Sequence, residues 1–149
     1  MKSMALLIDT NVVLDYLLER EPQYEHSEPV LNFCRTSLIK GYVAFHTLPS
    51  IWYIMRKYAI PNRREALLEI TYFLTVVSAP HEKVIDAIKQ ENFSDFEDCL
   101  QEKCAEEINA DYIVTNNVKN FSASKIPALS PREILETIFE IKFNELNNL

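Results

Sequence analysis

Hydrophobic positions fall along this chain in short unbroken runs that alternate with longer periodic stretches. Ala5, Leu6, Leu7 and Ile8 form the first run, which ends at once in Asp9, Thr10 and Asn11 before apolar residues resume at Val12 and Val13. A strand buried on both faces reads this way, because helices cover both sides of a parallel sheet. Comparable runs at 42–45, 75–78, 112–115 and 127–129 bring the expected strands to about five. Between them apolar residues recur every three or four positions, which predicts helices over about 12–21, 24–40, 51–58, 63–74, 81–91, 95–109 and 131–143. This reading puts Gly41, the sole glycine, at the C-terminus of the second helix, where a left-handed residue is wanted. Residues 144–149 are expected to fray. Strands alternating with helices define an α/β fold with a central, mainly parallel sheet, expected as one domain over residues 1–149.

Candidate chemistry gathers where apolar runs stop. In open α/β sheets ligands bind beyond the carboxyl ends of the strands, which is where Asp9 falls. Asp9 reads equally well as a helix cap. In the stretch Ser94 to Asp98, Asp95 and Asp98 are three apart at a helix start and share one face. Ser94 and Glu97 fit a capping box, which accounts for Glu97 without function. The run ending in Thr115 is followed by Asn116, Asn117 and Asn120, again short polar side chains at a strand end. Oxygen donors converging from strand ends and a helix start suit Mg²⁺ or Mn²⁺. Such ions support phosphodiester hydrolysis.

Composition narrows the choice. One glycine among 149 residues argues against a glycine-rich phosphate loop and against hairpin-rich β architecture. A formal charge of −7 leaves no global basic footprint for nucleic acid. A local one exists at Arg56, Lys57, Arg63 and Arg64, with Tyr53 and Tyr58 nearby. Basic and aromatic side chains so placed suit phosphates and unpaired bases. They suit a solvated helix face with Tyr53 in the core equally well. Cys34, Cys99 and Cys104 are odd in number and lack C-x-x-C spacing, so neither a disulfide framework nor a thiolate zinc site is indicated. His26, His46 and His81 have no Cys or His partner at ligand spacing and read as incidental, although His46 follows the second strand near the active edge. No signal peptide pattern and no apolar stretch near 20 residues is present, so a cytoplasmic protein without membrane contact is expected.

Several stretches in order resemble the PIN-domain nucleases, especially the bacterial group with VapC-like toxins. They are Leu7-Ile8-Asp9-Thr10-Asn11 with Leu14-Asp15-Tyr16-Leu17, then Tyr53-Ile54-Met55-Arg56-Lys57, Asp95 to Gln101, Ala110 to Asn117, and Pro127 to Leu135. The resemblance implies a three-layer α/β/α domain and a ribonuclease dependent on Mg²⁺ or Mn²⁺. By the same resemblance Asp9, Asp95 and Asp98 hold the ion, Thr10, Asn11, Ser50, Thr115 and Asn116 support it, and Asn117 and Asn120 orient water or phosphate. An RNA substrate, an antitoxin partner and a homodimer are also implied. The sequence departs from the family at Ser50, where relatives carry a second acid. It departs again at Asn116, where Arg is frequent, and at Asn117 and Asn120, where Asp is common. With fewer carboxylates, the alternative is a PIN fold that binds RNA or protein without cleaving.

Overall fold

The computed structural model describes residues 3–93 and 95–149. Five parallel strands form the sheet: β1 (Met4–Ile8), β2 (Ile39–Ala44), β3 (Leu74–Val77), β4 (Tyr112–Val114) and β5 (Ala128–Leu129), in the order β3-β2-β1-β4-β5. The helices are α1 (Thr10–Leu17), α2 (Tyr24–Arg35), α3 (Thr47–Lys57), α4 (Arg63–Thr71), α5 (His81–Lys89), α6 (Phe96–Glu107) and α7 (Pro131–Asn147).

The unbroken apolar run of β1 follows from its central place. Alternate side chains leave opposite faces of a strand. Leu6 and Ile8 accordingly enter one core with residues of α1, α2, α3, α4 and α7, while Leu7 enters a second with residues of α5 and α6. Val114 and Ile113 of β4 divide between the two cores in the same way. Two helical layers thus enclose the sheet. Cys34, Cys99 and Cys104 are all buried free thiols within these cores. No helix among the described residues is long and apolar enough to cross a membrane.

The chain departs from its sequence pattern at the C-terminal end of the second helix, whose start at Tyr24 is as expected. The helix α2 stops at Arg35, capped by Thr36, and the left-handed residue after it is Ser37 with φ 65°. Gly41 lies inside β2 instead. A Cβ there would meet Leu74 Cδ2 at 2.6 Å and Cys34 Sγ at 2.7 Å, so the glycine serves the close packing of β2 against α2 and β3. Its role is steric, not conformational. The expected loose tail is also mostly helical, since α7 runs on to Asn147. Its start is fixed by Ser130, which accepts from Glu133 N while the Glu133 carboxylate accepts from Ser130 N, with Pro131 in the first turn.

Candidate functional site at the carboxyl edge

The strand order reverses direction at β1, whose sequence neighbour β2 lies on one side and β4 on the other. A crevice at such a point is where open α/β sheets place ligands. Asp9 stands there, only 4% exposed. Its backbone N–H donates to Val114 O at 2.9 Å, which continues the pairing with β4 by one residue. Its side chain caps α1, with Oδ1 accepting from Thr10 N at 2.8 Å. Oδ2 accepts from the Thr115 hydroxyl at 2.8 Å and from Asn11 Nδ2 at 3.1 Å. Capping and site placement therefore coexist, and Oδ1 keeps one acceptor position free of protein partners. Burial raises the proton affinity of Asp9, opposed by the Thr115, Thr10 and Asn11 hydrogen bonds.

The polar residues around Asp9 interlock. Asn117 N donates to Thr115 Oγ1 at 3.0 Å, and that hydroxyl donates onward to Asp9. Asn11 Oδ1 accepts from Asn116 N at 3.2 Å, while Asn116 Nδ2 donates to Asp15 Oδ2 at 2.6 Å. Asp15 is itself buried and paired with Arg20 at 2.8 Å. Beneath this layer Thr10 and Thr47 hydroxyls meet at 2.8 Å, and Gln101 Nε2 donates to both, at 3.3 and 3.0 Å. Thr47 and Gln101 are fully buried. This link fastens the start of α3 and the body of α6 to the end of β1.

Through that link α6 brings Asp98 into the neighbourhood of Asp9. The first turn of α6 is capped by Asp95, whose Oδ1 accepts from Asp98 N at 3.1 Å. Ser94, the expected partner of Glu97, lies outside the described residues. The Asp98 carboxyl is pushed up to about 6 by burial first, then by the charges of Asp9 and Asp95, with Asn120 pulling the other way. Asp98 Oδ2 is buried with no hydrogen-bond partner. Glu97 is also raised, by burial and by Asp95. The Ser50 hydroxyl turns back to the His46 carbonyl, at 3.3 Å.

Among the described residues no three His, Cys, Asp or Glu side chains form a ready-made metal cage. The donor set still fits a hard divalent ion. Mg²⁺ keeps several waters and uses one or two carboxylates at sites that also bind phosphate. An unpaired carboxylate oxygen on Asp98, facing the charge of Asp9, is the feature such an ion satisfies.

The raised Asp98 carboxyl has a measurable consequence. Its proton affinity in the folded protein exceeds the ordinary value of 3.8, so the stability it contributes is complete below that pH and lost as pH rises through about 6. Asp98→Asn is accordingly expected to stabilise the metal-free protein at pH 7 by about 1 kcal/mol, after discounting for its partial exposure. The gain should vanish near pH 4. Urea unfolding at the two pH values measures it; an equal effect at both would contradict the account.

The basic residues lie elsewhere. Arg56 and Lys57 are exposed in the last turn of α3, nine residues or about 14 Å along the helix from Thr47. Arg63 stacks on Trp52 at 4.0 Å and donates to the Trp52 carbonyl at 3.3 Å, and Arg64 lies 5.3 Å from the same ring. Tyr53 is 63% exposed, which removes the core reading for it.

Sequence reasoning gave no role to Thr47, Gln101 or Asp15. Asp15 and Gln101 are polar residues inside expected helices, and that is the signal available; Thr47 precedes the helix expected over 51–58 and carries none.

Fold and edge together define a parallel α/β protein with an acidic site at the reversal point of its sheet. A model of the PIN domain family matches residues 5–119, and the chain belongs to that family. It is similar to Ribonuclease VapC1 of Aquifex aeolicus, at 24% identity over 140 residues, covering 91% of this chain and 96% of that protein. Two solved structures share the fold. One is VapBC2 from Rickettsia felis bound to a DNA fragment from their promoter (TM-score 0.63, 14% identity, 85% of this chain and 98% of that one). The other is VapBC-1 from nontypeable Haemophilus influenzae (TM-score 0.59, 19% identity, 87% and 99%). The family and the VapC likeness agree with the resemblance read from the motifs.

Proposed function

We propose that this protein is a divalent-metal-dependent endoribonuclease acting as the toxin of a toxin–antitoxin pair. The observation that carries the reading is the approach of Asp98, with its unpaired oxygen, to the clamped carboxylate of Asp9. Membership of the PIN family and the VapC likeness support it.

A divalent cation, Mg²⁺ or Mn²⁺, bound here supplies Lewis acidity toward water and phosphate. The protein supplies everything else. Thr10, Asn11 and Thr115 fix both oxygens of Asp9, so little reorganisation accompanies ion binding. Asp95 holds the first turn of α6 and adds negative charge beside Asp98. Asn117 and Asn120, exposed on the loop after β4, orient water or a phosphate oxygen. Arg56 and Lys57, at the far end of α3 from Thr47, and Arg63 and Arg64, at the start of α4 against Trp52, contact phosphates of flanking nucleotides rather than the one cut. Exposed apolar residues on α7, Phe139, Phe143 and Leu146, offer surface for the antitoxin or for a homodimer.

Incubating the purified protein with structured and unstructured RNAs tests the reading. Cleavage is expected with Mn²⁺ or Mg²⁺ and is expected to cease with EDTA. RNA binding without cleavage under either metal would overturn it in favour of a non-cleaving RNA-binding module, the reading that Ser50, Asn117 and Asn120 favour.

A further inference from the structure

Two exposed aromatic side chains stand at the carboxyl edge, close to the acidic site. Phe45 is the first residue after β2 and is 63% exposed. Its N–H donates to Val77 O at 2.7 Å, which carries the β2–β3 pairing one residue past the strand, as the Asp9 N–H does for β1. The register of β1 on β2 pairs Leu7 with Tyr42; continued by three residues, it sets Phe45 level with Thr10, the neighbour of Asp9. Phe96 opens α6, between Asp95 and Asp98 in the chain, and is 51% exposed.

The polar link under Asp9 ties these two positions to one edge. Phe45 lies two residues before Thr47, and Phe96 lies five before Gln101, about 7.5 Å along α6. Gln101 Nε2 donates to Thr47 Oγ1 at 3.0 Å. A ring left half or more in water contributes little to folding. Isolated apolar residues on a surface are ordinary, so what marks these two is their place beside a candidate site. The charge there narrows the ligand. Asp9, Asp95, Glu97 and Asp98 are neighbours of the rings and disfavour phosphate against them. The flat, uncharged face of a nucleobase is the part of a nucleotide that suits them. Every base has such a face, and unpaired bases can be splayed out to present it.

We propose that Phe45 and Phe96 stack on unpaired bases flanking the scissile phosphate, which makes single-stranded RNA the substrate class of this site. The proposal rests on the ribonuclease reading and deepens it. In a duplex the bases are covered by their stacked neighbours. Selection for unpaired segments therefore follows from stacking alone, without hydrogen bonds to particular bases.

Binding of a fluorescein-labelled, unstructured RNA of about ten nucleotides to the full chain in EDTA tests this apart from cleavage. Phe45→Ala and Phe96→Ala should each weaken binding about tenfold, with its salt dependence unchanged, because stacking releases no counterions. Phe45→Trp and Phe96→Trp should keep the wild-type affinity. Phe45→Leu and Phe96→Leu, which retain apolar bulk without a π-face, should not. Affinity for a blunt RNA duplex should be the same in every variant. With 5-iodouridine in the oligonucleotide, ultraviolet cross-links on the unsubstituted chain should map to Phe45 and Phe96. Both side chains are exposed, so the variants should melt with the wild type; the cross-links decide the matter if one does not. Single-stranded binding that the Ala or Leu variants leave unchanged, or cross-links confined to other residues, overturns the inference and leaves the ribonuclease reading standing. So does a loss of self-association alone in the Ala variants, which assigns the rings to a protein contact. Stacking effects without cleavage under Mn²⁺ or Mg²⁺ overturn the ribonuclease reading and keep the stacking surface. Absence of any RNA binding by the wild type overturns both.

Discussion

Asp9→Asn is expected to reduce metal-dependent RNA cleavage by about 10²–10³-fold while leaving the protein folded. The two effects separate because of how the side chain is held. Asn keeps the Oδ1 acceptor for Thr10 N, so the α1 cap survives. At the other atom an amide NH₂ replaces an oxygen that accepted from Thr115 and Asn11. The Thr115 hydroxyl can reverse and accept, whereas the contact with Asn11 Nδ2 becomes donor against donor. Loss of one hydrogen bond costs about 1 kcal/mol. Removing a carboxylate whose ionisation burial opposes offsets part of that. The proposed cation site, by contrast, loses a charged ligand that no other side chain hydrogen-bonded to Asp9 replaces. Single-turnover cleavage at saturating Mn²⁺, beside a melting curve, checks both halves. A variant that cleaves like the wild type would remove Asp9 from the site, and with it the proposed mechanism.

What could be read from the sequence was whatever the chain encodes locally. The stop from Ile8 to Asp9 is visible because helices on both faces of a central parallel strand force an apolar run, and the edge then frees the next residue to be polar. The same logic locates Thr115 after Val114. The failures share a cause as well. Gly41 looked like a helix terminator because left-handed φ is the commonest demand on a lone glycine. The demand it meets is space between Cys34 and Leu74, side chains that lie far apart along the chain. Ser37 takes the left-handed turn instead, which a residue with a Cβ tolerates at modest strain. Gln101 shows the limit most clearly. In the sequence it is one polar position in a helix; its function in the fold is set by Thr10 and Thr47, which are 91 and 54 residues away.

Glu102→Ala is expected to destabilise the protein by about 3–5 kcal/mol, and to weaken the site without touching any residue proposed to hold the ion. Glu102 is completely buried on α6, directly after Gln101. Its Oε2 accepts from Lys125 N at 2.7 Å, and its Oε1 lies 3.3 Å from Lys103 Nζ. Lys103 is also buried and reaches Glu106 at 3.6 Å, which in turn pairs with Lys83 at 2.8 Å. Burial pulls the Lys103 proton affinity down, but Glu102 and Glu106 raise it further, so the ammonium stays charged. Truncation at 102 would leave that ammonium with one distant carboxylate, the Lys125 N–H without its acceptor, and a cavity between α6 and the loop. The loop matters because it follows the short 3-10 turn Val118–Phe121, which carries Asn120. Glu102→Gln keeps the acceptor for Lys125 and should lose less, about half as much. Urea unfolding of the two variants measures the stability. Hydrogen exchange at the Lys125 amide should speed up in Glu102→Ala and stay protected in Glu102→Gln. Equal, small losses in both would mean that this buried ion pair contributes little beyond a well-packed neutral pair, a result with precedent in physical principle. In that case the position of the asparagine loop would depend on Phe121, packed edge-on against Phe93, instead.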